Sequence, residues 1–229
     1  AECTKILENS YRATNIALIE EWTIFAEKFG IDLFSVIKAI KYRDTHSNIM
    51  KPGLGVGGYC LTKDPYFAKF TSNKFLNNKL NFPFVDLTMK TNSKMHIRVT
   101  RNINKIIQKD HKINKILIGG ISYAENVDDI RSSRSLDMIK SLYKKKKKLT
   151  IYDPVVKLLS YKRIKIIKNS NNLKKYDLII FNVKHKQFEK INFSKLNNSV
   201  NIIDTNNVLS EGQIKIILKK KIKLKIIGR

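Results

Sequence analysis

Near Asn114 the texture of the chain changes, and that change constrains the fold class before any motif is read. Upstream, apolar residues recur at three- and four-residue spacing, which is the period of a helix. Downstream they come in short runs rich in isoleucine and leucine, at 116–119, 149–152, 164–167, 178–181 and 200–203, with helical segments between. Short apolar runs alternating with helices predict an α/β fold built on a parallel sheet. Each predicted strand ends in polar residues, Gly119-Gly120, Asp153-Pro154, Asn182 and Asp204-Thr205. Those carboxyl ends are where open α/β sheets bind ligands.

The first part reads as helix and loop. Leu7, Tyr11, Leu18, Trp22, Phe25 and Phe29 fall on one helical face until Gly30 stops the helix, while Ile6, Ala13, Ile16, Ala17 and Ile19 fill the other faces. A helix apolar nearly all round is buried between elements or subunits, so 2–29 is expected to be a central packing or dimerisation helix. A shorter helix is predicted over 31–40. Asp64-Pro65 is expected to open another, with Asp64 at the N-cap and Pro65 at the first helical position. A further helix is predicted from Pro83 to about Asp110, with Phe84, Leu87, Met95, Val99, Ile103 and Ile106 as its buried positions.

Between these helices lies the stretch richest in chemistry, Gly53-Leu54-Gly55-Val56-Gly57-Gly58-Tyr59-Cys60-Leu61-Thr62-Lys63-Asp64. Its glycines let backbone approach a ligand closely. Lys63, three residues beyond Cys60, favours a thiolate over a thiol, so Cys60 reads as a nucleophile. Gly53, Gly55 and Gly58 also match the letters of a dinucleotide fingerprint. That reading fails on context, because no strand leads in through Pro52 and the region around Asn77 and Asn78 is not acidic.

A formal charge of +26, from 45 Lys+Arg against 19 Asp+Glu, raises nucleic acid as a partner. The excess is mostly lysine spread through the carboxyl half, as in 164–168 and 219–225. Such alternation reads as solvated faces, and nucleic acid is not expected. The block Lys144 to Lys148 is predicted to be an exposed turn. No apolar run reaches membrane-spanning length and no signal pattern opens the chain, which predicts a cytoplasmic protein. Cys3 is expected to be a small packing residue, and neither His46 nor His185 has metal-like companions, so no metal is expected.

Three motifs carry a resemblance. They are Ala1-Glu2-Cys3-Thr4-Lys5 to Asn9, the stretch from Asn48 through Gly57-Gly58-Tyr59-Cys60 to Asp64, and Gly120-Ile121-Ser122-Tyr123 with Asp128-Asp129-Ile130-Arg131-Ser132-Ser133. In order and spacing the chain resembles the UDP-glucose and UDP-N-acetylhexosamine 6-dehydrogenase family over nearly its whole length. The resemblance implies an all-helical central dimerisation domain at 1–110 and a Rossmann-like UDP-sugar-binding domain at 111–229. It also implies an amino-terminal NAD-binding domain absent from this chain.

That family oxidises the C6 alcohol of a nucleotide sugar twice with NAD. The resemblance implies a thiohemiacetal and then a thioester on Cys60, Lys5 and Asn9 bonding the C6 oxygen, and Asp64 as general base. It places the sugar nucleotide along Ile49, Met50, Lys51, Pro52, Gly53 and Gly57, and the cofactor against Lys63 and Arg131. A UDP-sugar substrate and a homodimer through the helix 2–29 follow from it as well. From the residues alone, Lys5 and Asn9 also read as a solvated polar face, Asp64 as a helix cap and Arg131 as a surface arginine. Ala124 stands where the family usually has a lysine, and Arg134 where it has a proline. A basic nucleic-acid-binding protein and an inactive dimerisation or regulatory relative are the competing readings.

Overall fold

The structure, a computed structural model, describes residues 2–229 except 78, 146 and 171. Ala1 of the first motif and Lys146 of the lysine block therefore lie outside the described residues. The chain divides into two compact units, residues 1–95 with 228–229, and residues 96–227.

In the first unit α1 (Glu2–Phe29) ends where expected. Gly30 takes φ +67, a conformation that suits a residue without Cβ, and the Ile31 amide closes onto the Ala26 carbonyl at 2.9 Å. Within this chain α1 is covered on one face rather than nearly all round. Asn9, Ala13, Ala17, Ile19, Glu20, Thr23 and Ala26 are buried, whereas Leu7, Tyr11, Leu18, Trp22, Phe25 and Phe29 are exposed, Trp22 at 50% and Phe29 at 70%. Small side chains let another helix come close. Asn92 Nδ2 on α4 (Pro83–Lys109) donates to the Ala13 carbonyl at 2.9 Å, and the Thr14 and Thr88 hydroxyls meet at 3.1 Å. The large residues remain outside as an aromatic ridge, with Trp22 and Phe25 rings 5.5 Å apart and Phe25 and Phe29 rings 4.6 Å apart.

Helix α2 (Leu33–Ile40) starts two residues later than expected because Asp32 caps it, accepting from the Phe34 amide at 3.0 Å. Leu33 and Ile37 pack with Ile19 and Ala26, and Ile49 and Met50 lean on that cluster. Helix α3 (Tyr66–Phe75) has Pro65 at its N-cap and no side-chain cap. Asp64 is thus not the predicted cap, since the backbone is already turning there: the Cys60 carbonyl accepts from the Lys63 and Asp64 amides at 3.1 and 2.8 Å. On α4, Met95, Val99 and Ile103 are buried as predicted and Ile106 is half-buried. Phe84 and Leu87 face outward, and Met89 and Asn92 take the inward positions.

The second unit carries a seven-stranded sheet with β1 (Lys115–Gly119), β2 (Lys148–Tyr152), β3 (Ser160–Tyr161), β4 (Ile164–Ile167), β5 (Leu178–Phe181), β6 (Asn201–Asp204) and β7 (Lys223–Ile226) in the order β3-β4-β2-β1-β5-β6-β7. All pairings are parallel except β3 with β4. The five predicted strands are present within a residue at their ends, and edge strands β3 and β7 were not predicted. Helix α5 (Arg134–Tyr143) connects β1 to β2, and α6 (Glu211–Lys219) connects β6 to β7. Lys144 and Lys145 form an exposed turn as expected, whereas Lys147 is half-buried and Lys148 already belongs to β2.

From β1 the chain steps outward to β2 and β4 on one side and to β5, β6 and β7 on the other, so the strand order reverses at β1. Gly120 follows directly, at φ +87. A Cβ there would lie 2.6 Å from Val183 Cβ and 2.8 Å from its backbone nitrogen, so no side chain fits.

Candidate functional site

Asp64 organises the first unit's polar centre. Its buried carboxylate accepts from Asn9 Nδ2 at 2.9 Å on one oxygen and from Lys63 Nζ at 2.7 Å on the other. Asn9 is buried, so the solvated-face reading fails for it, and it reaches Asp64 across 55 residues of sequence. Lys5, one turn earlier on the same helix face, lines a cavity of about 590 Å³ together with Glu2, Ile6, Lys63, Asp64, Phe67 and Thr71. Four of the predicted site residues, Lys5, Asn9, Lys63 and Asp64, therefore converge.

The hydrogen bond that Lys63 donates to Asp64, with smaller contributions from Tyr59 and Cys60, holds its ammonium above the ordinary pKa against the lowering effect of burial. Lys63 also sits over the Tyr59 and Phe67 rings, 4.4 and 4.5 Å from their centroids. It is a permanent cation at neutral pH, next to the loop that carries the thiol.

Cys60 is exposed at the end of that loop, in the tight turn that its carbonyl closes onto Lys63 and Asp64. Thr62 Oγ1 fastens the turn by donating to the Gly58 carbonyl at 2.9 Å. The left-handed conformations expected of the glycines occur at Gly55 (φ 127) and Gly58 (φ 79). Among the described residues no strand leads into the glycines, and no helix opens between them and Tyr66, as the rejection of a dinucleotide turn requires. Pro52 and Gly53 are buried, Gly57 is half-buried and Lys51 is exposed. Pro52 packs tightly against Gly228, whose φ of +89 and lack of Cβ permit the contact. Cys3 is exposed and lines a second, apolar cavity with Ile6 and Leu7, so it is not the expected packing residue.

Arg131 lies in the second unit. Its guanidinium, 84% exposed, grips Asp129 through Nε at 3.0 Å and Nη2 at 2.7 Å, and this holds the Asp129 carboxyl below its ordinary range. Asp128 turns elsewhere and accepts from the Lys157 amide at 2.9 Å. Around Ala124 the motif closes on itself: Ser122 Oγ donates to the Ala124 carbonyl at 2.7 Å, and Ser133 Oγ donates to the Ser122 carbonyl at 3.2 Å.

One cluster escaped the sequence. His185, fully buried, accepts the Asn126 amide on Nδ1 at 3.1 Å, which leaves its proton on Nε2, 3.3 Å from both Asp153 Oδ2 and Ser122 Oγ. Asp153, also fully buried, accepts from the amides of Ile121, Val155 and Val156 at 2.7, 3.0 and 2.9 Å. Asp204 does the same at the end of β6, accepting from Val208 and Leu209 at 2.9 and 2.8 Å. The polar strand ends were visible as a pattern, but the histidine meeting them from 32 residues away was not. Among the described residues no group of three or more His, Cys, Asp and Glu is placed to hold a metal ion, and no helix is long and apolar enough to cross a membrane.

Comparison with known proteins gives two family matches. The central domain of the UDP-glucose/GDP-mannose dehydrogenase family matches residues 1–94, and the UDP binding domain of the same family matches residues 117–211. A UDP-N-acetyl-D-mannosamine dehydrogenase of Methanocaldococcus jannaschii is 32% identical over 217 residues, covering 92% of this chain and 48% of the relative. One of Campylobacter jejuni is 31% identical over 202 residues, covering 86% and 48%. The structure of the UDP-N-acetyl-mannosamine dehydrogenase of Staphylococcus aureus superposes with a TM-score of 0.75 at 27% identity, covering 99% of this chain and 50% of that one. An NDP-N-acetyl-D-galactosaminuronic acid dehydrogenase of Methanosarcina mazei, at 24% identity, shares the fold with a TM-score of 0.82 over 99% of this chain and 50% of that one. The chain spans about half the length of the relatives it matches.

Proposed function

Because the chain belongs to the UDP-glucose/GDP-mannose dehydrogenase family through its central and UDP-binding domains, we propose that it is the cysteine-bearing portion of an NAD-dependent UDP-sugar 6-dehydrogenase. The observation that carries this reading is the convergence of Lys5, Lys63 and Asp64 on one cavity beside the Cys60 turn, with Asn9 bonded to the Asp64 carboxylate. The relatives' names make UDP-N-acetylmannosamine the first substrate to test. Residues 1–110 act as the helical central domain and 111–229 as the UDP-sugar-binding domain of a cytoplasmic enzyme.

Each residue has a role its chemistry suits. The Cys60 sulfur adds to the C6 aldehyde, forming a thiohemiacetal that is oxidised to a thioester. Lys5 and the second amide hydrogen of Asn9 stabilise the C6 oxygen as it becomes anionic. Asp64 takes a proton from the water that releases the uronic acid. Ile49, Met50, Lys51, Pro52, Gly53 and Gly57 present the loop that faces the sugar nucleotide. Lys63 and Arg131 fit a dinucleotide in kind, each ending in an accessible cation suited to a diphosphate. NAD, when bound, supplies the hydride acceptor.

The experiment is stoichiometric. The complete dehydrogenase, given UDP-N-acetylmannosamine and NAD, is expected to yield two NADH for each uronic acid formed. One NADH per sugar with release of aldehyde, or no turnover with any UDP-sugar, overturns the reading.

The exposed ridge of Trp22, Phe25 and Phe29 is assigned to a second copy of the chain, giving a homodimer. Placing glutamate at Trp22 and Phe25 together is expected to weaken self-association about 100-fold, read by sedimentation, without loss of helical circular dichroism. Unchanged sedimentation would assign the ridge to something else.

A further inference from the structure

Away from the Cys60 site, α4 and α5 enclose a polar cleft of about 300 Å³ that the proposed reaction does not use. His96, Thr100 and Asn104 enter it from α4 at four-residue spacing, and Asp137 and Ser141 from α5 at the same spacing. His96 Nδ1, Thr100 Oγ1 and Asn104 Oδ1 are buried without a hydrogen-bond partner, and Thr100 is only 6% exposed. A buried polar atom left unpaired costs about 1–3 kcal/mol, and native chains keep few of them. Three on successive turns of one helix, opening into one cleft, are groups awaiting a partner.

The charge around the cleft says which partner. Arg101 lines it, and Arg134 and Lys140 flank its wall, against the single carboxylate of Asp137. That carboxylate is already held by Arg134 at 3.2 Å and Lys140 at 2.9 Å, with His96 Nε2 at 3.9 Å. The balance favours an anion. The available donors are the Thr100 and Ser141 hydroxyls, the Arg101 guanidinium and His96 once protonated. Asn104 joins them by a half-turn of its amide, whose Nδ2 makes only a long 3.4 Å bond to Ser141. Hydroxyls, a guanidinium and an imidazolium converging on a small cleft match a tetrahedral oxyanion.

We infer that this cleft binds a small tetrahedral oxyanion of the phosphate type, held by His96, Thr100, Arg101, Asn104 and Ser141. Burial, aided by Arg134, depresses the His96 pKa while Asp137 opposes it, so the empty cleft disfavours the charged ring. Tyr161 acts on Lys140, which it helps keep charged. An anion at Nδ1 reverses the balance, and its binding takes up a proton on His96. Affinity therefore rises as pH falls.

Sulfate is the probe that isolates this effect, because its charge is constant across the range in which histidine titrates. The full chain is titrated with sodium sulfate at about pH 5.5 and about pH 8 and followed by NMR. Shifts are expected at residues 96–104 and 134–141, with affinity about tenfold higher at the lower pH. His96→Gln is expected to bind with no pH dependence, and Thr100→Val or Arg101→Gln to bind about fivefold or more weakly. Displacement of sulfate by inorganic phosphate alone assigns the free ion, whereas equal displacement by glucose 6-phosphate assigns the phosphoryl group of a metabolite. Arg101 is exposed, so its variant remains informative should Thr100→Val unfold. Shifts scattered over the lysine-rich surface, or Arg101→Gln binding as tightly as the parent, overturn the site.

Discussion

Replacing Cys60 with alanine in the complete dehydrogenase is expected to lower turnover about 10⁴-fold or more while leaving UDP-sugar binding and folding nearly unchanged. The asymmetry follows from where the residue sits. Its side chain is exposed at the end of a turn held by backbone bonds from Lys63 and Asp64 and by the Thr62 hydroxyl. None of those contacts uses sulfur, so the substitution leaves no cavity and no unpaired group, and Tm is expected to move by only about 1–2 °C. On the proposed mechanism, what it removes is the atom that would keep the aldehyde covalently attached between the two oxidations. Steady-state NADH production with a parallel thermal-shift titration of UDP-sugar reads both halves. Retention of two NADH per sugar in the variant would remove Cys60 from the chemistry.

Asp153→Ala has the opposite profile, a large loss of stability with no contact to the proposed chemistry. The carboxylate pairs three backbone amides and the His185 imidazole, and both side chains are fully buried. Alanine leaves those donors unsatisfied at the end of β2, and about 3–5 kcal/mol is expected to be lost in urea unfolding. The parent chain carries a pH signature of the same bonds. Burial alone would raise the Asp153 pKa, but the bonds from His185, Ile121 and Val156 overrule it and hold the folded value below the ordinary 3.8. A folded pKa below the unfolded one stabilises above the unfolded value and is lost as pH falls through the folded value. The parent is therefore expected to weaken below about pH 4, and Asp153→Ala to lack that part of the acid slope. An equal acid slope in the two proteins would show that Asp153 titrates alike folded and unfolded.

Why some of this was legible and some not comes down to what a linear pattern encodes. Spacing fixes which residues share a face, and it gave α1, its stop at Gly30, α4 and the five inner strands. It does not say which face is covered. On α1 the contacts with α4 are made by Ala13 and Thr14, small enough for close approach, and the bulky stripe that dominates the pattern ended up outside. Phe84 and Leu87 misled for the same reason. Edge strand β7 was hidden because its lysines interrupt the apolar run, and only one side of it has a neighbour. In the site, Lys63 and Asp64 were readable as neighbours of Cys60. Asn9 joining Asp64, and His185 joining Asp153, depend on chain reversals no local window contains. Asp64-Pro65 looked like a helix start in isolation, but its carboxylate was claimed by Asn9 and Lys63 instead.

The outward aromatic ridge of α1 belongs to a chain carrying +26 formal charges, so adhesion and mutual repulsion are set against each other between copies. Added salt damps the repulsion over a shorter Debye length and leaves the apolar contact untouched. Ionic strength should then draw copies together, whereas it would strip the same surface from any polyanion. The sign of one salt titration thus tells sticky hydrocarbon from a phosphate-seeking coat of lysine.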